Sequence, residues 1–242
     1  MADVNVDRKN PILKKSKIST GINDLDILLE GGYLKEGLIM ISGHSGTEKN
    51  AFAFHFTQAG IDLGEAVIYI TADMSHEEIN KKADALGFDF KKANSSGELI
   101  FIDCYSSSSD PAKKSDSQTG IISLPGANSL NDLSIAIKSI LQEHEQKKIR
   151  VVFHSLSTFI LYNPASSIIK FIQFVGGRLK KSNATTLFIV DEGMHEKTLL
   201  TSIEHMMDEK YSIGDGENFS ISSASLPMSI PLKMGSAGIE IK

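Results

Sequence analysis

Cysteine is nearly absent from this 242-residue chain, which holds one, Cys104. A single thiol excludes an intramolecular disulfide framework and any zinc site built from cysteines, and its default reading is a buried, inert thiol. Long apolar runs are missing too, since none reaches the ~20 residues that span a bilayer. No charged-then-apolar signal segment opens the chain. The expectation is therefore a cytoplasmic protein, and the triplets Asn94-Ser95-Ser96, Asn183-Ala184-Thr185 and Asn218-Phe219-Ser220 are not read as glycosylation sites. Positive charge is also short: 25 Lys and Arg against 30 Asp and Glu leave a net charge of -5. That balance disfavours a protein built to lie along nucleic acid, whose phosphates reward a basic face.

What is present is ordinary globular material, with 41% hydrophobic and 23% charged residues. A chain of this length buries roughly 70–75% of its unfolded surface without staples. The residues through about Lys17 are polar and aperiodic and read as a flexible arm (1–17), with one domain over 18–242. Leu25, Leu28 and Leu29 recur at helical spacing, and Gly31-Gly32 ends that helix as a left-handed cap. Apolar runs at 38–41, 66–70, 99–102, 151–153 and 186–190 read as strands. Between them lie helical patterns over 49–63, from the capping box Ser75-His76-Glu77-Glu78 to about Gly87, at Leu130 to Ile140, and at Ile168 to Leu179. A last helix carries Leu199, Leu200, Ile203, Met206 and Met207, and short β segments follow. Phe52 and Phe56 read as core. Continuous apolar strands separated by helices predict a wound α/β domain with a mostly parallel sheet. Residues 105–120, rich in Ser, Asp and Lys, read as a mobile solvated loop.

In such a sheet function gathers at the carboxyl ends of the strands. There, Gly43-His44-Ser45-Gly46-Thr47-Glu48-Lys49-Asn50 joins a strand to a helix. The phosphate-binding pattern G-x-x-x-x-G-K-[ST] is matched at Gly43 and Lys49, but Glu48 replaces the second glycine and Asn50 the hydroxyl.

Around this loop, Ile18-Ser19-Thr20-Gly21-Ile22-Asn23-Asp24-Leu25-Asp26 and Gly31-Gly32 resemble the opening of a KaiC-like domain of the RecA/RadA ATPase superfamily. The resemblance continues through Tyr69-Ile70-Thr71-Ala72-Asp73, Asn131-Asp132-Leu133-Ser134, Val151 to Ser157 and Gly193-Met194-His195, to Gly238-Ile239-Glu240-Ile241. It implies a RecA-like three-layer α/β/α P-loop fold and an ancestry of Mg·ATP hydrolysis, commonly in hexameric rings. Carried over by position, Lys49 is the phosphate-reaching lysine and Asn50 stands where a hydroxyl should ligate Mg²⁺. His154 stands where an acid should end the second motif's strand. Asp73 and Met74 stand where paired glutamates should polarise water, and Lys233 lies near the family's basic pair without its motif.

These departures have physical costs. A left-handed backbone at Glu48 would cost about 1–2 kcal/mol. Its carboxylate, at ~4 Å from a phosphate and an effective dielectric of ~20, repels by about 4 kcal/mol. A Glu48–Lys49 pairing would instead leave the loop self-neutralised. Without hydroxyl and acid, Mg²⁺ loses both protein anchors. The sequence thus predicts weak ATP binding at residues 43–50, no Mg²⁺ and no metal site, with Asp73 and His154 as vestiges of catalysis. The expected protein is a non-hydrolytic regulatory, signalling or scaffold pseudo-ATPase. It would act through protein partners, by self-association or beside an active relative. Two alternatives stay open: a weak ATPase using Lys49 and Asp73, and a recombination-type nucleic-acid binder. A Ser155/His154/Asp73 triad lacks a nucleophile elbow, and a His154/Asp73/His44 metal site is set below a neutral, hydrogen-bonded His154. Asp191-Glu192 can be a sensor-like pair but reads more simply as solvated charge, and Met206-Met207 as core on a helix face.

Overall fold

The computed structural model describes residues 16–45, 48–109, 120–214, 220–226, 228–235 and 238–242. Of the expected arm it describes only Ser16 and Lys17, and the expected loop lies outside the described residues from 110 to 119.

The alternation read from the sequence produces one ten-stranded sheet with helices on both faces. Seven strands form its parallel body: β3 (Leu38–Gly43), β4 (Ala66–Thr71), β5 (Leu99–Asp103), β6 (Ile121–Ser123), β7 (Ile149–Phe153), β8 (Ala184–Asp191) and β9 (Glu209–Ile213). Their order is β9-β3-β8-β7-β4-β5-β6, and the pairings between them are parallel. The strands β10 (Ser220–Ser222), β11 (Ile230–Gly235) and β12 (Gly238–Ile241) extend the β9 edge antiparallel. A separate two-stranded pair, β1 (Lys17–Ile18) and β2 (Tyr33–Leu34), lies outside the main sheet.

Strand side chains alternate between two cores. Leu38, Met40, Ile68, Ile70, Val151, Phe153, Phe188 and Val190 face α6 (Leu130–Glu143), α7 (Leu156–Tyr162), α8 (Ala165–Lys181) and α9 (Lys197–Glu204). Ile39, Ile41, Val67, Tyr69, Val152, Leu187 and Ile189 face α1 (Asn23–Leu28), α2 (Lys49–Asp62), α3 (His76–Ala85) and α4 (Phe90–Ser95). Phe52 and Phe56 are in this second core, as expected. Period-2 alternation within uniformly apolar strands is what a sheet covered on both faces requires.

Local signals hold where they are strong. Ser75 caps α3, its Oγ accepting from the Glu78 N–H at 3.2 Å. After α1 the chain turns left-handed through Glu30, Gly31 and Gly32; at Gly32 (φ 105°) a Cβ would meet the Ile18 carbonyl. Some details differ from the pattern. Ser106–Ser109 forms a one-turn helix, α5. α7 follows β7 almost at once, capped by the Ser155 hydroxyl. Met206 and Met207 lie just past α9, half-buried against the core rather than on the helix.

Candidate functional site

The family-like opening segment is a self-closed turn. The Asp26 carboxylate accepts from Ser19 Oγ at 2.5 Å and from the Thr20 N–H at 2.7 Å. Two buried side chains fasten this turn to the rest. Arg150 Nη1 donates to the Ser19 carbonyl at 2.8 Å, and His55 Nδ1 lies 3.2 Å from the Gly21 carbonyl. His55 sits on α2, and its Nε2 accepts from the Ile239 N–H of β12 at 2.9 Å. Burial lowers the His55 pKa below its ordinary value, more than the Gly21 hydrogen bond raises it. The ring is therefore neutral, as accepting at Nε2 demands. These contacts hold α2, whose first residue is Lys49, in place beneath the loop.

Of that loop, Gly43, His44, Ser45, Glu48, Lys49 and Asn50 are described, while Gly46 and Thr47 lie outside the described residues. Gly43 ends β3; His44, Ser45 and Glu48 are exposed, and Asn50 is half-buried. Glu48 has φ -75° and ψ 22°, so its φ is negative and the cost a left-handed backbone would carry does not arise. The Lys49 ammonium does not pair with Glu48 either. It lies 2.7 Å from Asp191 Oδ1 and donates to the His44 carbonyl at 3.0 Å. Its side chain is 5% exposed and that of Asp191 22%, which makes this a largely desolvated ion pair.

Asp191 and Glu192 are thus not solvated charges, contrary to the simpler expectation. β8 lies beside β3 with Asp191 in register with Gly43, which carries the acid to the loop. The Asp191 N–H donates to Ser157 Oγ at 2.8 Å, and the Glu192 N–H to the Gly43 carbonyl at 2.9 Å. The Glu192 carboxylate accepts from Ser42 Oγ at 2.5 Å. Sequence spacing could not find this pair's partners, because adjacency of β3 and β8 is a product of strand order. Position at a strand's carboxyl end was the available signal.

His154 follows β7 and is 1% exposed. Its ring stacks on Phe54 of α2 at 6.0 Å, and its Nδ1 lies 2.6 Å from the Tyr69 hydroxyl. Burial lowers its pKa; Asp73 and Asp191 oppose that, and Lys82 and Lys49 add to it. The result is the neutral, hydrogen-bonded histidine expected. Nε2 is buried with no protein partner among the described residues. Burial also lifts the Tyr69 pKa well above its ordinary value, with Asp73 adding to it, so the phenol keeps its proton. Asp73 is exposed and lies 3.5 Å from Thr71 Oγ1, while Met74 packs against the core. Ser155 Oγ caps α7 and contacts Thr158 Oγ1 at 2.8 Å, so His154 meets Tyr69 and not a Ser/Asp pair. Lys233 pairs with Glu240 inside its own hairpin at 2.7 Å. Cys104 is buried, and burial raises its pKa.

A second cluster escaped the sequence reading. Asp103, at the end of β5, accepts from His76 Nδ1 at 2.7 Å, from the His76 N–H at 3.0 Å and from Ser106 Oγ at 2.7 Å, all at Oδ2. Its Oδ1 accepts from the Tyr105 and Ser106 N–H groups. Burial alone would raise the Asp103 pKa, but these bonds from His76 and Ser106 outweigh it and hold the carboxylate well below its usual range. His76, Glu77 and Asp103 have donor atoms within 4.8 Å of one another, unlike the His154/Asp73/His44 trio. Five protein donors already occupy the Asp103 oxygens, so the group orients His76 and caps α5 rather than offering a free ligand.

A parallel sheet with helices on both faces, and a strand–loop–helix placing a buried lysine at the carboxyl edge, define a RecA-like P-loop domain. A solved KaiC-like protein from Pyrococcus horikoshii has this fold, with a TM-score of 0.72 at 16% identity, over 94% of this chain and 99% of that one. The family model for the KaiC ATPase matches residues 18–213. The chain belongs to the KaiC ATPase family. A UPF0273 protein from Thermotoga maritima is 24% identical over 196 residues, covering 79% of this chain and 77% of the relative. The circadian clock oscillator protein KaiC from Prochlorococcus marinus is 26% identical over 172 residues, or 71% of this chain and 30% of the clock protein. No helix among the described residues is long and apolar enough to cross a membrane.

Proposed function

We propose that this KaiC-family chain is a non-hydrolytic regulatory or scaffold protein whose phosphate loop is held closed by its own acid. One observation carries the reading: the Lys49 ammonium is bound by Asp191 at 2.7 Å, where a phosphate oxygen would otherwise meet it. Nucleotide must displace a desolvated carboxylate before it gains the lysine, and that competition lowers affinity.

The donor set supports the same conclusion for the metal. Mg²⁺ demands hard oxygen ligands in octahedral geometry. Asn50 offers a neutral amide, and His154 a neutral ring enclosed by Phe54 and Tyr69. These residues do not fit the ion. Asp73 leaves a single, shortened carboxylate where the family uses two.

The test is phosphate release and calorimetric binding with ATP, ADP and a non-hydrolysable analogue, with and without Mg²⁺. The expected outcome is no turnover above background and weak, metal-independent binding. Metal-dependent phosphate release that Lys49→Ala abolishes would overturn the reading in favour of a weak ATPase. The combined Glu48→Gly, Asn50→Thr and His154→Asp variant is expected to regain Mg·ATP binding.

A further inference from the structure

We propose that the furrow between α6 and α8 binds an extended acidic peptide of a different, partner protein. Three adjoining hollows of about 540, 450 and 330 Å³ run along these helices. They share Lys170, Phe174, Arg178 and Lys181, so they form one surface. Five charged side chains line it, the cations Lys138, Lys170, Arg178 and Lys181 and the single acid Glu145. Four cations less one acid leave the furrow at +3, on a chain whose net charge is -5. None of the five forms an ion pair among the described residues, whereas the neighbouring Lys180 is engaged by Asp208. The furrow is thus a local excess of uncompensated positive charge, complementary to carboxylates.

Two features of α8 add to the charge. Phe174 stands in the furrow 61% exposed, with the Arg178 guanidinium 4.6 Å from its ring centre. One turn on, Gly177 keeps a residue that weakens helices at a position where a Cβ would meet nothing within 4 Å. Its neighbour Gly176 is required by Leu38, but no internal packing explains Gly177. A bare backbone beside an exposed ring lets another main chain approach closely and seat an apolar side chain on Phe174.

The lining favours a peptide over nucleic acid. The carboxamides of Asn131, Gln142 and Gln173 face the furrow without a side-chain hydrogen bond among the described residues. Each offers a donor and an acceptor together, the pair that an extended peptide backbone offers in return. Lys170 and Lys181 stand roughly 16 Å apart along the helix, a span that about five extended residues cover. None of these residues belongs to the phosphate loop, so the proposal goes beyond the closed-loop reading and does not rest on it.

Fluorescence anisotropy of a dye-labelled peptide of about ten residues, alternating Glu and Ser around one central Phe, tests this on the full chain without nucleotide. The expected result is saturable binding at low salt that weakens at about 0.5 M salt, as screening of exposed charges dictates. Lys170→Glu with Lys181→Glu is expected to weaken it at least about tenfold, and Glu145→Lys to tighten it. Lys81→Glu with Lys92→Glu makes the same change in net charge on the opposite face of the sheet and is expected to leave binding within about twofold. Gly177→Leu is expected to raise Tm, because leucine favours a helix, and yet to weaken binding; a merely structural glycine would not separate the two. Lys49→Ala and Asp191→Asn are expected to leave peptide binding unchanged, which keeps this test apart from that of the phosphate loop. No binding, binding indifferent to the furrow variants, or equal loss in the Lys81/Lys92 control would overturn the proposal. So would tighter binding of an oligothymidylate of the same charge as the peptide.

Discussion

Glu65→Ala is expected to be the most damaging single truncation of an ionic side chain in this protein. Arg150 is 0% exposed, and its Nε donates to Glu65 Oε2 at 2.6 Å. Nη1 serves the carbonyls of Ser19 and Phe56, the guanidinium lies 4.5 Å from the Phe56 ring centre, and Nη2 has no partner among the described residues. Burial pulls the Arg150 pKa below its ordinary value, and Glu65 is the main force pulling it back. Removing that carboxylate leaves an uncompensated buried cation, a loss of about 3–5 kcal/mol. For a domain of this size that is a fall in Tm of roughly 6–20 °C. Asp84→Ala is the control: its pair with Lys91 at 2.9 Å is 61% and 42% exposed. That variant should cost at most about 1 kcal/mol. Urea unfolding followed by circular dichroism reads both. Because Arg150 also binds Ser19 and Phe56, amide exchange in α2 should quicken in Glu65→Ala. A Glu65→Ala loss no larger than that of Asp84→Ala would refute the account of this pair.

Other residues give sharper tests of the site. Asp191→Asn removes the carboxylate from Lys49 and is expected to tighten pyrophosphate binding by about tenfold, or 1.4 kcal/mol, by calorimetry. Unchanged affinity would mean that Lys49 is not held back by Asp191. Tyr69→Phe leaves His154 Nδ1 buried without its partner and is expected to cost about 1–3 kcal/mol, read by denaturant unfolding. The His55 pKa is depressed below the ordinary 6.5. The unfolded chain therefore binds the proton more readily, and the contribution of the His55 contacts to Gly21 and Ile239, complete above about pH 6.5, is lost as pH falls through the folded value. The protection of β12 amides relative to their intrinsic exchange rates should fall at acid pH in the wild type, and His55→Ala should remove that dependence.

The strands were legible because a sheet covered on both faces needs continuous apolar runs, and Ala66–Thr71 and Leu99–Asp103 are such runs. α3 was legible through its Ser75 cap, and the end of α1 through Gly31 and Gly32. The short helix at Ser106–Ser109 was not, since a serine run carries no periodicity and its order comes from Asp103. Glu48 shows the converse error. A motif position suggested left-handed strain, whereas the backbone there precedes a helix with a negative φ of -75°.

By itself the sequence determined the α/β class, the strand–loop–helix at Gly43 to Lys49, and the residue types at 48, 50 and 154. Those depend on local periodicity and on identity at a fixed spacing. Only the tertiary structure decided which acid meets Lys49, that Tyr69 meets His154 across 85 residues, and that His55 joins β12 across 184. The physical reason is that such pairings form where strand ends and helix faces meet. Strand order sets that adjacency, and a parallel sheet brings together segments far apart in the chain.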